Sequence, residues 1–424
     1  MDPRLRSAAV EVLLADGYAE GVLWHDTATA PVVEETAPPG QVDVIVVGGG
    51  YCGLAAATEL ARRGRSVAVV DRDRLGWGAS TRNGGMVLPE LKAGPVTLAA
   101  TYGELGTRMH AAVEEAFDLV ESLAAGIDCA YERTGRLELA HGARSADGLR
   151  ALASEHEGAR FVEGDELAAE IGSTAYPAGL VVERSGGIHP ARFHAGLVER
   201  AREAGASLHP RCAVTSIDGT TVRTSRGTVE AGDVLLAVNA YADGAAPHLR
   251  RRVLPMGSFI IATEPLGADL AASVLPTRRM TYDVKNLLSY WRLDPDGRMV
   301  FGGRKRLGRV SIAEARDQLY ERMVRIHPQL AGVRVTRAWG GDVALTLDRL
   351  PHCGRIDGAW FATGCNGSGV ALNTWMGTRL AAAICGEPLP PFAELPLKRV
   401  PLHALRAAWL PAASLWYRWE DSRG

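Results

Sequence analysis

Val42-Asp-Val-Ile-Val-Val-Gly48-Gly-Gly50-Tyr-Cys-Gly53 is an apolar run that ends in a glycine turn. After it, Cys52 to Arg63 keeps helical spacing until Gly64, and Ser66 to Val70 reads as a second strand ending at Asp71. Strand (Val42 to Val47), turn, helix and strand make one βαβ unit. In that context GxGxxG is a strong pattern, because each glycine has a physical reason. Gly48 makes the tight turn, Gly50 lets the backbone approach a pyrophosphate, and Gly53 lets the helix pack against the strand. The helix amino end adds unpaired N–H groups and a partial positive charge. Asp71, 23 residues after Gly48, places a carboxylate where a ribose diol would donate. The unit predicts dinucleotide binding without separating FAD from NAD; the plainer alternative is a structural turn followed by a solvated aspartate.

Working outward, residues 1–40 read as a helix-like N-terminal extension followed by a connector, Thr27-Ala-Thr-Ala-Pro31 and Pro38-Pro-Gly40. Helical pattern returns from about Tyr102 to Ala125. Pro190 opens another helix whose apolar face is Phe193, Leu197, Val198 and Ala201, and Gly205 stops it. His189 before it caps or packs rather than catalyses. A β-meander follows with strands Ala213 to Ile217, Thr220 to Thr224, Thr228 to Ala231 and Val234 to Val238, turning at Asp218-Gly219 and Arg226-Gly227. Between about 251 and 345 come longer strands, a hairpin turn at Asp294-Pro-Asp-Gly297 and an amphipathic helix from Ser311 to about Ile326. A last strand (Trp360 to Thr363), glycine loop and helix (Val370 to Cys385) return to the first sheet.

The 424 residues exceed one ordinary core. A formal charge of −2 with scattered basic residues gives nucleic acid no footprint. Six cysteines lie far apart with no CxxC pair and no histidine cluster at metal-ligand spacing, so no metal is expected and the thiols read as free in a reducing cytoplasm. The N-terminus lacks the apolar core of a signal peptide, and no apolar run is long enough to span a membrane.

The loop Gly76-Trp-Gly-Ala-Ser-Thr-Arg-Asn-Gly-Gly-Met86 is rich enough in small residues for its backbone to lie against a flat ring. With this loop the chain resembles the D-amino-acid oxidase superfamily of flavoenzymes, which includes glycine oxidase and sarcosine oxidase, and looks closest to its γ-glutamylputrescine oxidase-like branch. Thr81 stands where that branch usually has glycine. The resemblance continues in order through Leu235-Leu-Ala-Val-Asn-Ala-Tyr241, Phe301-Gly-Gly-Arg304, Trp339-Gly-Gly, Thr346-Leu-Asp-Arg-Leu-Pro-His352 and Gly364-Cys-Asn-Gly-Ser-Gly-Val370, over nearly the whole chain. It implies FAD as cofactor. The residues expected to hold it are Gly48, Gly50, Tyr51, Cys52, Gly53, Asp71 and Arg72; then Ser80, Thr81, Arg82, Asn83, Gly84, Gly85 and Met86. Val214 would meet the adenine, and Gly364, Asn366, Gly367, Ser368, Gly369 and Val370 the flavin ring. The glycine loop at a helix amino end agrees with that, since N–H groups and dipole stabilise the negative charge of a reduced flavin. The fold class implied is α/β: a Rossmann-type FAD-binding domain (41–90, 180–250 and 346–395) of parallel sheet plus meander. It interleaves with an α+β substrate domain (91–179 and 251–345) on a mainly antiparallel sheet, and a tail (396–424) follows.

Departures from the family pattern matter too. Members with covalent flavin carry a cysteine where this chain has Gly340-Gly-Asp-Val, so the FAD is expected to be non-covalent. The lysine that holds a substrate carboxylate in sarcosine oxidase-like members corresponds to Ala371, and the oxygen-activating lysine corresponds to Val300. Candidate catalytic residues are Lys285, Tyr290 and Arg304: a cation to bind an acidic substrate group or tune the flavin, a phenol to orient the nitrogen. The plainer alternatives are a surface lysine, a core tyrosine and a structural arginine pair. Arg82 either lies over the flavin or pins its loop to a carboxylate. The aromatic tail from Leu402 to Trp419 is expected to dock on the protein's own body rather than on a membrane.

The resulting expectation is an FAD-dependent amine or amino-acid oxidase or dehydrogenase, with oxygen or another carrier as electron acceptor. The competing classes are a flavin monooxygenase or halogenase, which would normally show a second nicotinamide-related motif or a late GD-containing ribityl segment, and a non-catalytic flavin-binding protein. A nicotinamide-only dehydrogenase would lack the yellow colour.

Overall fold

The computed structural model describes residues 11–155, 158–303 and 310–421. Two large sheets organise it, and the expected α/β class is present. The first runs Val214–Asp218, Thr221–Thr224, Gly227–Leu236, Gln41–Val47, Val67–Val70, Ser207–His209, with Ala359–Thr363 on the free side of Gly227–Leu236 and His352–Ile356 beyond it. Gln41–Val47 is central and parallel to both neighbours. Its run of Val and Ile is buried on both faces, as a strand covered by helices on each side requires. The helix Tyr51–Arg62 crosses over it, rich in Gly and Ala, and packs on the helix Gly369–Ile384. The approach is tight: a Cβ on Gly377 would stand 2.1 Å from the Cys52 carbonyl oxygen.

The second sheet has nine strands in the order Leu14–Glu20, Val335–Leu345, Leu254–Pro265, Arg298–Gly303, Ser289–Leu293, Met280–Asp283, Arg136–Ala140, Ala178–Val182, Ala159–Glu163. Its pairings are antiparallel except Leu14–Glu20 on Val335–Leu345 and Met280–Asp283 on Arg136–Ala140. One face is closed by the helix Ile312–Ile326, whose Leu319, Tyr320 and Met323 share one hydrophobic core with Trp291, Phe301 and Leu137. Ser311 caps that helix through the Glu314 N–H. The opposite face looks toward the glycine loops.

Two expectations are corrected. Within the described residues the N-terminal piece is a strand, Leu14–Glu20, and one helical turn, Leu23–Asp26. A free sheet edge overrides the weak helical pattern there. The helix expected from about 102 to 125 is Glu104–Ala124, and a further helix, Pro95–Tyr102, precedes it, the two divided where Gly103 takes φ +59° and turns the chain. The last two meander strands are one, Gly227–Leu236, since Gly232 brings it close against Asp43, where a Cβ would stand 2.8 Å from the Asp43 carbonyl oxygen. His189 caps Pro190–Glu203, its Nδ1 accepting from the Arg192 N–H. The tail forms the helix Arg406–Asp421 and docks on the body: Leu410 is buried with Met256 and Leu287, and the Asp421 carboxylate accepts from the Asn286 and Leu287 N–H groups.

Candidate active site

The first glycine turn is built as its spacing demands. Gly48 takes φ +109°, and a Cβ there would stand 2.7 Å from the Ala237 carbonyl oxygen. One on Gly53 would stand 1.9 Å from the Gly48 carbonyl oxygen, and one on Gly50 2.8 Å from Ser80 Oγ. No side chain caps the helix Tyr51–Arg62, which leaves its amino end facing a cleft of about 1060 Å³, open mouth included. Gly48, Gly50, Tyr51, Cys52, Asp71, Arg72 and Val214 line that cleft; Gly53 and Ser80 shape it, Gly53 behind the turn and Ser80 on the wall. Ser80 Oγ accepts from the Tyr51 N–H at 3.0 Å, tying the next loop to the turn. The Tyr51 phenol itself faces the core, donating to the Pro190 carbonyl. Asp71 Oδ2 accepts from the Gly49 N–H at 2.8 Å and Oδ1 from the Asp73 N–H. Burial pushes this carboxyl up and the two N–H donors pull it back. At the rim Arg72 lies 5.7 Å from the Trp77 ring and 5.9 Å from the Tyr241 ring. A cradle that any Cβ would fill, an uncapped helix end and a carboxylate beside them fit a dinucleotide diphosphate.

The loop Gly76–Met86 is held from below. Thr81 Oγ1 donates to the Gly76 carbonyl and meets His25 Nε2, so it closes the loop. Asn83 Nδ2 donates to the Ala79 and Ser80 carbonyls, and its Oδ1 accepts from the Gly85 N–H at 2.8 Å. Arg82 pins the loop, but to carbonyls: Nε donates to Trp77 at 2.7 Å and Nη1 to Gly340 at 3.3 Å, with the guanidinium 4.7 Å from the Trp77 ring. Two buried indoles grip consecutive carbonyls, Trp339 Nε1 donating to Arg82 and Trp24 Nε1 to Asn83, each at 2.8 Å. Their rings meet edge to face at 6.3 Å. Sequence reading left Trp24 unremarked within the helix-like piece ahead of the connector; its only signal was the short apolar run Val22-Leu-Trp24. Trp24→Phe keeps the packing and orphans the Asn83 carbonyl, which is expected to cost about 1–3 kcal/mol. Urea unfolding at fixed FAD concentration measures it, and an unchanged midpoint would show that the bond contributes nothing.

The second glycine loop follows Ala359–Thr363. Gly364 takes φ +78° and packs against Thr346. Asn366, at φ +49°, accepts from the Thr346 N–H and donates through Nδ2 to the Gly364 carbonyl. Gly367 takes φ +111° and has open space where a Cβ would sit. Ser368 precedes Gly369–Ile384, and Val370 is buried in its first turn. Ala362 and Asn373 from either side of this loop line the same cleft as the first turn.

Strand alternation decides what the nine-stranded sheet offers. Tyr282 lies opposite both Tyr290 and Glu138, and Tyr290 opposite Gly302, so these share one face with Met280, Arg136 and Arg292. Tyr290 lies over Gly302, where a Cβ would stand 2.2 Å from its ring, and next to Gly84, at 3.1 Å; its hydroxyl meets Ser258 Oγ at 3.1 Å. Met86 and Leu88 pack with Met280, Tyr282 and Tyr290. Tyr290 is therefore brought to the loops. Lys285 is not: it follows Asp283 on the other face, its Nζ 3.9 Å from Asp283 Oδ2 and 5.8 Å from the Tyr176 ring in the far core. Arg304 lies outside the described residues. On this sheet face a further cation reaches the loops, Arg292, unremarked in the sequence. It is buried, donates from Nη2 to the Ile188 carbonyl at 2.7 Å and stacks 5.5 Å from the Trp24 ring, and burial brings it down to about 10. A Cβ on Gly85, at φ +73°, would stand 2.9 Å from its Nη2.

Among the described residues no group of His, Cys, Asp and Glu is placed to hold a metal ion, and no helix is long and apolar enough to cross a membrane.

Residues 43–383 match the family described as FAD dependent oxidoreductase, DAO. Gamma-glutamylputrescine oxidoreductase of Escherichia coli (strain K12) is 33% identical over 392 residues, covering 87% of this chain and 91% of that protein. Glycine oxidase of Geobacillus kaustophilus (strain HTA426) is 26% identical, covering 80% of this chain and 92% of that protein. The crystal structure of glycine oxidase from Geobacillus kaustophilus superposes with a TM-score of 0.72 at 23% identity, covering 85% of this chain and all of that one, a likeness of fold. The resemblance drawn from the glycine loops is thus a kinship that extends over both sheets. The chain belongs to the DAO family of FAD dependent oxidoreductases, and FAD is its cofactor.

Proposed function

We propose that this protein oxidises a C–N bond of a small amine or amino-acid-like substrate, with oxygen or another carrier taking the electrons. One observation carries the reading: both glycine loops reach the one sheet face that bears Tyr282, Tyr290 and Met280, joined to it through Met86 on one side and Ser368 on the other. The relatives named for γ-glutamylputrescine and for glycine support a nitrogen-bearing substrate. FAD held there would supply a hydride acceptor for the carbon next to the substrate nitrogen; loss of that hydride would leave an imine, which water would hydrolyse to a carbonyl product.

The chain's own contribution is position and dryness. Met86, Leu88 and Met280 form an apolar wall that excludes water from the reacting carbon. The Tyr290 hydroxyl, fixed by Ser258, orients the nitrogen lone pair. No strong base is needed if the amine arrives neutral. The flavin is held without a covalent bond, since Gly340-Gly-Asp-Val carries no thiol; acid precipitation should leave FAD in the supernatant. Six unpaired cysteines, five of them buried, favour a reducing compartment such as the cytoplasm.

The test is anaerobic mixing of the yellow protein with a panel of amines and amino acids while the flavin spectrum is recorded. Bleaching by one or more amines is the expected result, and admission of air then separates oxygen from another acceptor. A flavin that no member reduces would remove the reading.

A further inference from the structure

The helix Arg406–Asp421 has two apolar faces, and the body uses one of them. Trp409, Leu410, Ala413 and Tyr417 form the inner face, in one cluster with Met256 and Leu287. At about 100° per residue the outer face falls on Leu405, just ahead of the helix, and on Ala408, Ala412, Leu415, Trp416 and Trp419, an arc about 100° wide on the opposite side. All six are exposed, Leu415 at 64% and Trp416 at 57%, and the rings of Trp416 and Trp419 meet at 4.9 Å. The two carboxylates of the helix are turned to the body: Asp421 accepts from the Asn286 and Leu287 N–H groups, and Glu420 from Asn286 Nδ2. A helix that is apolar on opposite sides is ordinarily covered on both.

What stands at the foot of the outer arc says what covers it. The Arg251 carbonyl accepts from the Val400 N–H at 2.9 Å, and Arg252 Nε donates to the Leu397 carbonyl at 3.1 Å. These bonds bring Arg250, Arg251 and Arg252 to the segment that holds Lys398, Arg399 and Arg406. Burial first, then Arg406, Arg250 and Arg251, hold the His403 ring below its ordinary value; burial and then Arg399 lower Arg252 in the same way. Five arginines thus lie within electrostatic reach of one another around Leu402, itself 69% exposed, and Leu405. The Asp357 carboxylate near Arg252 is already held by His248 at 2.6 Å, and Glu394 by Arg108 at 2.7 Å.

We propose that the outer face of the C-terminal helix and the arginine cluster at its foot form a membrane-docking surface, and that its occupant is a bilayer leaflet bearing anionic lipid. The helix lies in the plane of the interface, its Leu and Trp side chains enter the headgroup boundary, and the arginines meet the lipid phosphates. No spanning segment is involved. A protein partner would have to present an apolar groove beside a concentration of negative charge, whereas such a leaflet presents both as one continuous surface. Docking on the body, expected from the sequence, uses the inner side of this helix and leaves the outer side to the lipid.

The test is flotation of the FAD-loaded full chain with vesicles of phosphatidylcholine alone or mixed in equal parts with phosphatidylglycerol. The mixed vesicles are expected to bind at least about tenfold more tightly, with a blue shift of the tryptophan emission. Leu415→Gln combined with Trp416→Gln should lose about tenfold or more on the mixed vesicles. Arg250→Gln combined with Arg251→Gln should lose about tenfold there and nothing on phosphatidylcholine. All four side chains are exposed and none lines the FAD cleft, so flavin content should stay as in the wild type. A wild type that stays off the mixed vesicles, or either double variant floating as the wild type does, overturns the proposal. If L415Q/W416Q loses its flavin, the arginine pair and the two lipid compositions decide. Sedimentation without lipid covers the other occupant: wild-type dimers that L415Q/W416Q dissociates, with no flotation, would assign the face to a second copy and overturn the lipid assignment.

Discussion

Gly53→Ala yields a protein that purifies largely colourless. The added methyl carbon would stand 1.9 Å from the Gly48 carbonyl oxygen and 3.1 Å from Val46 Cγ1. Neither obstacle is the far end of a flexible side chain. The oxygen belongs to the turn itself, and moving it moves Gly48, whose φ of +109° leaves few alternatives. Overpacking of this kind costs about 1–3 kcal/mol, occasionally more. Here the strain falls on the backbone that presents N–H groups to the diphosphate, so FAD affinity should drop by roughly 10- to 100-fold. Fluorescence titration of the apoprotein measures it. Gly17→Ala is the control, because nothing lies within 4 Å of a Cβ there and its φ is ordinary. Stoichiometric yellow G53A would show that the helix can retreat without loosening the turn.

Mild acid has the second large effect. His194 is buried beneath the first turn, Nε2 donating to the Gly49 carbonyl at 2.8 Å, and burial first of all brings it down to about 4. His327 is buried against Trp291, neither ring nitrogen has a partner among the described residues, and burial brings it likewise to about 4. Both are neutral when folded and take up a proton readily when unfolded. Between pH 6.5 and 4 the unfolded chain binds more protons, so stability is full above 6.5 and falls as the pH falls through that window. At pH 5 each histidine removes about 2 kcal/mol, the two together about 4. The urea midpoint should therefore drop steeply between pH 7 and 5. His194→Gln, which retains a donor for Gly49, should show a shallower drop by about one proton's worth. Equal slopes in the two proteins would place the acid sensitivity elsewhere.

The parts of the site that could be read from sequence are those made by contiguous residues. Strand, turn, helix and strand around Gly48 to Asp71 follow one another, and so do the glycine loops at 76–86 and 364–370; backbone geometry there is a local matter. What escaped depends on register between distant strands. Tyr282 lies within Met280–Asp283 and faces the loops, whereas Lys285 lies in the bend after that strand and sits near Asp283 and Tyr176. Tyr290 and Arg292 differ by two and stay together, but only strand bounds reveal it. Glu90 accepts from Ser368, 278 residues later, and from Tyr282, 192 later. The N-terminal strand escaped for another reason: an edge strand half in water needs little apolar alternation, and what recruits it is an unpaired neighbour more than 300 residues away.

That recruitment sets a clock for biosynthesis. Leu14–Glu20 finds its partner only when Val335–Leu345 has left the ribosome. At about 5–20 residues per second this takes roughly 15–65 s, during which this early segment, with the tryptophan behind it, has no native home. Until then the edge of Val335–Leu345 and the strand that covers it are separated in time by the synthesis of both sheets.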